Sequence, residues 1–248
     1  MAVRLDTEHF GSRWYPGAGI YRHVRLVRTH PVHVDHWGVF VTTPVVTDRE
    51  GVAAVSVKLR NCLAREAACR YEVDLFELGQ DDKPGRKVAS ARGPELTLPA
   101  NGGQTGEVRL SVKEPQRWSL EETNRYLARV TVYESGRKAD VYDTPFGFRT
   151  IQFTHDNGFL LNGRRVNING TCNHHDLGAL GTAINTAALT RQLTILKSFG
   201  CNALRTSHNP PAPELLTLAD KMGFLVMDET FDCWEHGKQP HDYASLFK

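Results

Sequence analysis

Three short polar clusters in the last third of this 248-residue sequence carry most of its chemical potential. Asn173-His174-His175-Asp176 is the first, Arg205 with Ser207-His208-Asn209-Pro210 the second, and Asp228-Glu229 the third. Imidazoles, carboxylates, amides and a guanidinium are the groups that exchange protons, hold charge and hydrogen-bond polar ligands. Singly, Asn173, Asp176, Ser207 and Asn209 are ordinary helix caps and loop residues. Together, three clusters that each trail a short apolar run describe a site.

Eleven histidines raise the question of a metal. His174 and His175 are adjacent, so a strand continuing through them points them to opposite faces and they do not readily share one ion. That spacing argues against a metal-dependent amidohydrolase. A hard cation at Glu229, or at Glu235 with His236, stays open, because such ions need few protein oxygens beyond water.

The clusters are positioned by a repeating pattern of short apolar runs and helical segments. Arg165 to Thr171 reads as a strand, and Thr186 to Phe199 then sets Leu189, Leu193, Leu196 and Phe199 at helical spacing, with Gly200 as its C-cap. Cys201 to Thr206 is a second strand, Pro213 to Met222 a second helix closed by Gly223, and Phe224 to Met227 a third strand. Strands about twenty residues apart and joined by helices predict parallel βαβ units. In such architectures the C-terminal strand ends share one face and form the site. Three parallel strands leave an open edge, whereas a closed eight-stranded barrel needs about 250 residues, so either the sheet is capped by other means or it is part of a larger barrel.

Upstream the period changes to two. Val55, Val57 and Leu59, then Tyr71, Val73 and Leu75, Val108, Leu110 and Val112, and Ala128, Val130 and Val132 alternate with polar residues, as in strands with one buried face. Turn-rich stretches such as Asp81-Asp82-Lys83-Pro84-Gly85 and Asn101-Gly102-Gly103 separate them. With a run before Pro44 and another around Phe146 to Phe153, about seven strands over roughly 115 residues have the size and rhythm of an immunoglobulin-like sandwich. Val3 to Leu5 and Ile20 to Val27 read as two further strands, too few for a core of their own and suited to the tail of a preceding domain.

Composition bounds the rest. Apolar residues at 40% and charged residues at 23% suit a soluble globular protein. The net charge of +2 and the scattered basic residues give no nucleic-acid footprint. No stretch approaches the roughly 18 apolar residues of a membrane helix, and Met1 to Phe10 shows no signal-peptide core. The compartment is left open. Five cysteines at unpatterned spacing read as free thiols.

Trp14-Tyr15-Pro16-Gly17-Ala18-Gly19-Ile20-Tyr21-Arg22, Phe146-Gly147-Phe148-Arg149, Leu161-Asn162-Gly163, Gly170-Thr171-Cys172-Asn173-His174-His175-Asp176, Arg205-Thr206-Ser207-His208-Asn209-Pro210 and Met227-Asp228-Glu229 resemble, in order, motifs of glycoside hydrolase family 2. The wording His174-His175-Asp176-Leu177-Gly178 and Ser207-His208-Asn209-Pro210-Pro211-Ala212-Pro213 is closer to β-galactosidases than to β-glucuronidases or β-mannosidases. The resemblance implies a multidomain β plus α/β chain. Residues 1–31 would be the end of a sugar-binding jelly roll, 32–149 the immunoglobulin-like sandwich, and 150–248 the start of a (β/α)8 barrel.

It further implies a retaining, exo-acting enzyme that removes terminal β-galactose, with a carbohydrate substrate and neither nucleic acid nor membrane as partner; a homo-oligomer is left open for the complete enzyme. Under the resemblance His174 and Asp176 line the sugar pocket, and His208, with Asn209 beside it, contacts sugar hydroxyls or the transition state. Arg205 orients a catalytic carboxylate, and Asp228 and Glu229 close the third strand. The spacing of Glu235-His236-Gly237 departs from the family's Glu-x-His-Gly magnesium pair, so no cofactor is assigned. Retaining hydrolysis needs two carboxyls about 5 Å apart across the bond, which sequence neighbours such as Asp228 and Glu229 cannot supply. The family's acid/base and nucleophile glutamates are expected beyond Lys248, and the chain alone is expected to be inactive. The alternatives are a non-catalytic carbohydrate-binding or scaffold protein and a β-glucuronidase-type member of the family.

Overall fold

The computed structural model describes residues 2–4, 19–230 and 236–237. Leu5, the Trp14 to Ala18 part of the first motif, Cys233 and Glu235 lie outside the described residues. The chain forms two compact units, Leu26–Asn167 and Met1–Arg25 with Ile168–Lys248.

The unit Leu26–Asn167 is built on antiparallel pairing. Strands β1 (Val32–Val46), β2 (Glu50–Asn61), β3 (Ala67–Leu78), β4 (Pro84–Arg92), β5 (Leu96–Leu98), β6 (Gly103–Lys113), β7 (Arg125–Glu134) and β8 (Arg137–Phe146) divide into two sheets. Their orders are β1-β2-β6 and β4-β3-β7-β8, with β5 added to β3. Every alternating position singled out from the sequence in β2, β3, β6 and β7 is buried in one core shared by the two sheets. The period of two thus does what it should in an immunoglobulin-like sandwich, turning one face of each sheet toward the other.

Tyr71 is the largest of the fully buried side chains, at 0% exposure. Its ring occupies a slot left by two glycines: a Cβ added to Gly93 or Gly106 would come within 2.1 or 2.3 Å of Tyr71 atoms. The Tyr71 hydroxyl has no hydrogen-bond partner among the described residues. Burial, with Cys69 adding to it, pushes this phenol up to about 12.

Four expected strands differ. Val3 and Arg4, the described part of Val3 to Leu5, lie in no strand. Ile20 to Val27 forms no strand either, and Leu26 is 99% exposed: alternation needs a neighbouring strand to pair with, and none of the described strands pairs with it. The run from Phe146 to Phe153 is interrupted, since Phe148 turns into the core against Tyr126 and Phe146, with ring centroids at 5.0 and 5.3 Å. The strand then resumes as β9 (Ile151–Thr154), which pairs with β10 (Gly158–Leu161). The expected strand Arg165 to Thr171 is split. Asn162 and Gly163 both take positive φ, 51° and 75°, the conformation of a two-residue hairpin turn. They fold β11 (Arg164–Arg165) back onto β10.

The second unit carries the parallel strands. Strand β12 (Gly170–Asn173), helix α1 (Thr186–Ser198), strand β13 (Ala203–Thr206), helix α2 (Pro213–Met222) and strand β14 (Leu225–Met227) follow in order, and the three strands pair in parallel as β12-β13-β14. These are the first βα units of a barrel. Asn185 caps α1 by accepting the Ala188 N–H at 3.0 Å, and Pro213 opens α2 where its missing N–H costs nothing. Gly223, at φ 72°, ends α2 in the left-handed conformation. Leu189 and Leu193 of α1 pack with Leu204, Leu218, Ala219 and Phe224. Phe199 falls just past the last turn of α1 and is exposed, so the apolar stripe stops with the helix.

Candidate functional site

The parallel register sets the site. Cys172 pairs with Arg205 and Arg205 with Met227, so the residues following each strand emerge side by side. Adjacent strands are about 4.8 Å apart, close enough for side chains at neighbouring ends to touch.

Glu229 is the hub. One of its carboxylate oxygens is paired with the Arg205 guanidinium, and the other lies 2.7 Å from His208 Nδ1. His174 meets His208 edge-on, with ring centroids 5.6 Å apart at 83°. Four of the seven residues singled out from the sequence, His174, Arg205, His208 and Glu229, therefore form one contiguous group. The Ser207–His208 peptide is cis.

Asp228 joins this group through a residue the sequence reading passed over. Thr206, 2% exposed, accepts the Glu229 N–H at 3.0 Å and contacts Asp228 Oδ1 through its hydroxyl at 3.2 Å. One buried hydroxyl thus orients both members of the Asp228-Glu229 pair. Strand alternation was the available signal: Arg205 and Thr206 are neighbours on one strand and must point to opposite faces.

Asp176 and Asn209 sit at the margin. Asp176 Oδ1 accepts the Gly178 N–H at 2.8 Å, an Asx turn that shapes the loop after β12. Asn209 engages His175 through its backbone. His175, considered from the sequence only as a metal ligand, is instead held low by burial first and by the charge of Arg22 second, while the bond to Asn209 raises it. It stays neutral. The His174 ring meets His208 and the His175 ring meets Tyr21.

Cys172 was not anticipated either. The Arg205 guanidinium bonds its Sγ at 3.4 Å and lowers the thiol below its ordinary value, with Ser207 adding to the effect. The same bond and the Glu229 pairing raise Arg205. Arg205 thus bridges the first strand to the third.

Beside the end of β12 lies a small pocket, partly open to solvent, whose walls include His174, His175, Asp176, Gln192, Thr206 and Leu215. Among the described residues no three His, Cys, Asp or Glu side chains gather in a metal-holding arrangement, and Glu235 of the Glu235-His236-Gly237 sequence lies outside them.

Fixed donors and acceptors at the ends of adjacent parallel strands can hold a ligand rich in hydroxyls. The comparisons with known proteins agree with this architecture. Residues 32–149 match the model described as glycosyl hydrolases family 2, and residues 153–241 match the model for the TIM barrel domain of the same family. A β-galactosidase of Bacteroides ovatus, BoGH2A, is 46% identical over all of this chain, which spans 28% of that relative. A putative β-glucuronidase of Formosa agariphila is 34% identical over 98% of this chain and 22% of its own length. A solved family 2 glycosyl hydrolase from Bacteroides cellulosilyticus superposes with a TM-score of 0.87 at 36% identity, covering 95% of this chain and 30% of that one. The chain therefore spans less than a third of these relatives, and two models of one family account for most of its residues: it belongs to glycosyl hydrolases family 2.

Proposed function

We propose that the chain supplies part of the sugar-binding wall of a retaining, exo-acting family 2 glycosidase that removes terminal β-galactose. The observation that carries this reading is Glu229 clasped between Arg205 and His208, with His174 against His208. An oxocarbenium-like transition state gains from fixed negative charge nearby, and pyranose hydroxyls gain from paired donors and acceptors held without reorganisation. In this reading His174, Asp176, Arg205, His208, Asn209, Asp228 and Glu229 line the sugar site. None of them is assigned to breaking the bond: Asp228 and Glu229 are adjacent in sequence and cannot flank a glycosidic bond on both sides. The acid/base and nucleophile belong to other parts of the parent enzyme. The proposed division is a jelly-roll end at 1–31, the sandwich at 32–149 and the barrel start at 150–248.

A β-glucuronidase-type activity is the second reading, favoured by relatives such as the 34% identical protein named a putative β-glucuronidase. Both readings are tested by assaying the whole enzyme that carries this chain on nitrophenyl β-galactoside and β-glucuronide. Preference for the galactoside is expected, and a preference for the glucuronide would reverse the order. The 248-residue chain alone should turn over neither. Turnover that persists through purification and vanishes with His208→Ala would overturn the assignment of its residues to binding.

A further inference from the structure

We propose that Arg22 is a positioning residue for the loop that presents His208, holding it through the carbonyl of Pro210. The proposal rests on the reading of His208 as a sugar-contacting residue. Glu229 fixes one end of the Ser207 to Pro210 loop by binding the His208 ring. The other end is fixed by residues from far back in the sequence. Arg22 Nη2 donates to the Pro210 carbonyl, 188 positions away in the chain. The guanidinium packs on Tyr21, with Cζ 5.1 Å from the ring centroid, and Tyr21 meets the His175 ring edge-on at 6.3 Å. His175 in turn bonds the backbone of Asn209. Two consecutive residues after His208 are thus gripped by one small cluster, Tyr21, Arg22 and His175.

The same segment is tied down beyond the cluster. His23 Nε2 and Arg25 Nη2 lie 3.6 and 3.4 Å from Glu214, in the first turn of α2. These are exposed pairs of the kind that contribute little energy, so they steady the segment without explaining Arg22. Arg22 differs because its Nε is buried with no partner among the described residues. Burying the Nε of a guanidinium without a bond of its own is poor value if the gain is stability alone. It is reasonable if the gain is geometry, since groups that touch substrate depend on a supporting shell that locks them in place. His175 Nε2 is likewise buried and unpartnered among the described residues, so a charge there would be uncompensated. Burial first and the Arg22 charge second both lower this ring, which favours its uncharged form.

The experiment compares Arg22→Met, which loses every donor, with Arg22→Lys, which keeps the charge on one ammonium nitrogen but loses the planar fork that packs on Tyr21 and spans to the carbonyl. In the whole enzyme, kcat should fall roughly 100-fold for Arg22→Met and roughly tenfold for Arg22→Lys, the scale of a small misplacement of a reacting group, while KM changes far less. In the 248-residue chain, the nuclear Overhauser contact between the His174 and His208 rings, whose centroids are 5.6 Å apart, should weaken in both variants. Either variant with wild-type kcat, or with an intact ring contact and only a lowered melting temperature, overturns the proposal. A wild-type enzyme inactive on every β-glycoside would sink the functional reading instead, and the ring contact would still decide the part played by Arg22.

Discussion

Replacing Thr206 with valine removes one hydroxyl and nothing else of consequence, because the two side chains have nearly the same shape. Thr206 is 2% exposed, and its Oγ1 accepts the Glu229 N–H at 3.0 Å. The valine leaves that N–H without its partner, which costs about 1–3 kcal/mol when the site is dry. Asp228 also loses a contact at 3.2 Å, but it is exposed and water replaces the hydroxyl, so this adds little. The sum is about 2 kcal/mol, a factor of roughly 30 in the folded-to-unfolded ratio. Thr206→Ser is the control: it keeps the hydroxyl and drops one methyl, at about 1 kcal/mol. Urea unfolding followed by helical circular dichroism reads this change, since among the described residues both α-helices lie in the second unit. Serine should recover at least half of what valine loses. A valine variant within about 0.5 kcal/mol of the parent, or a serine variant equally damaged, would refute the assignment of Thr206 as the shared anchor of Asp228 and Glu229.

In the whole enzyme, His208→Ala should lower turnover about 100-fold or more and affect KM no more strongly than kcat, as expected of a group acting mainly in the transition state; full turnover with lower thermal stability would make His208 a structural residue. Tyr71→Phe should stabilise the sandwich by about 1 kcal/mol, because it removes a buried hydroxyl without a partner among the described residues, and a loss of stability in denaturant melts would mean that the hydroxyl is satisfied. Cys69 is raised from 9.0 to about 11 by burial, with Glu134 adding to it. Its folded value lies above its unfolded one, so its contribution is fully present below pH 9 and is lost as pH rises toward about 11. Over that window the denaturation midpoint should fall less steeply in Cys69→Ala than in the parent, and parallel slopes would contradict the burial argument.

The division of labour between local and long-range information is visible in particular residues. Val55, Val57, Leu59 and their counterparts in β3, β6 and β7 announce a half-buried strand because side-chain direction alternates with each residue, a property of the backbone alone. The helix bounds were equally legible, since Pro213 and Gly223 act through their own φ preferences. The polar clusters could be read as a site because each follows a strand and parallel strand ends share a face. Asn162-Gly163 carries the local signal of a hairpin turn, two residues that tolerate positive φ, which separates Arg165 from the strand ending at Asn173.

Tertiary structure alone decided the partners. Whether Ile20 to Val27 pairs depends on a neighbouring strand elsewhere in the chain, and whether Phe148 points inward depends on the space beside Tyr126 and Phe146. The order β12-β13-β14 and its register put Arg205 between Cys172 and Glu229, and tertiary folding brought the Pro210 carbonyl to Arg22. Periodicity and turn preference are written into consecutive residues, where the covalent backbone enforces them. Which distant groups meet is set by register and packing, which depend on the free energy of the whole assembled core.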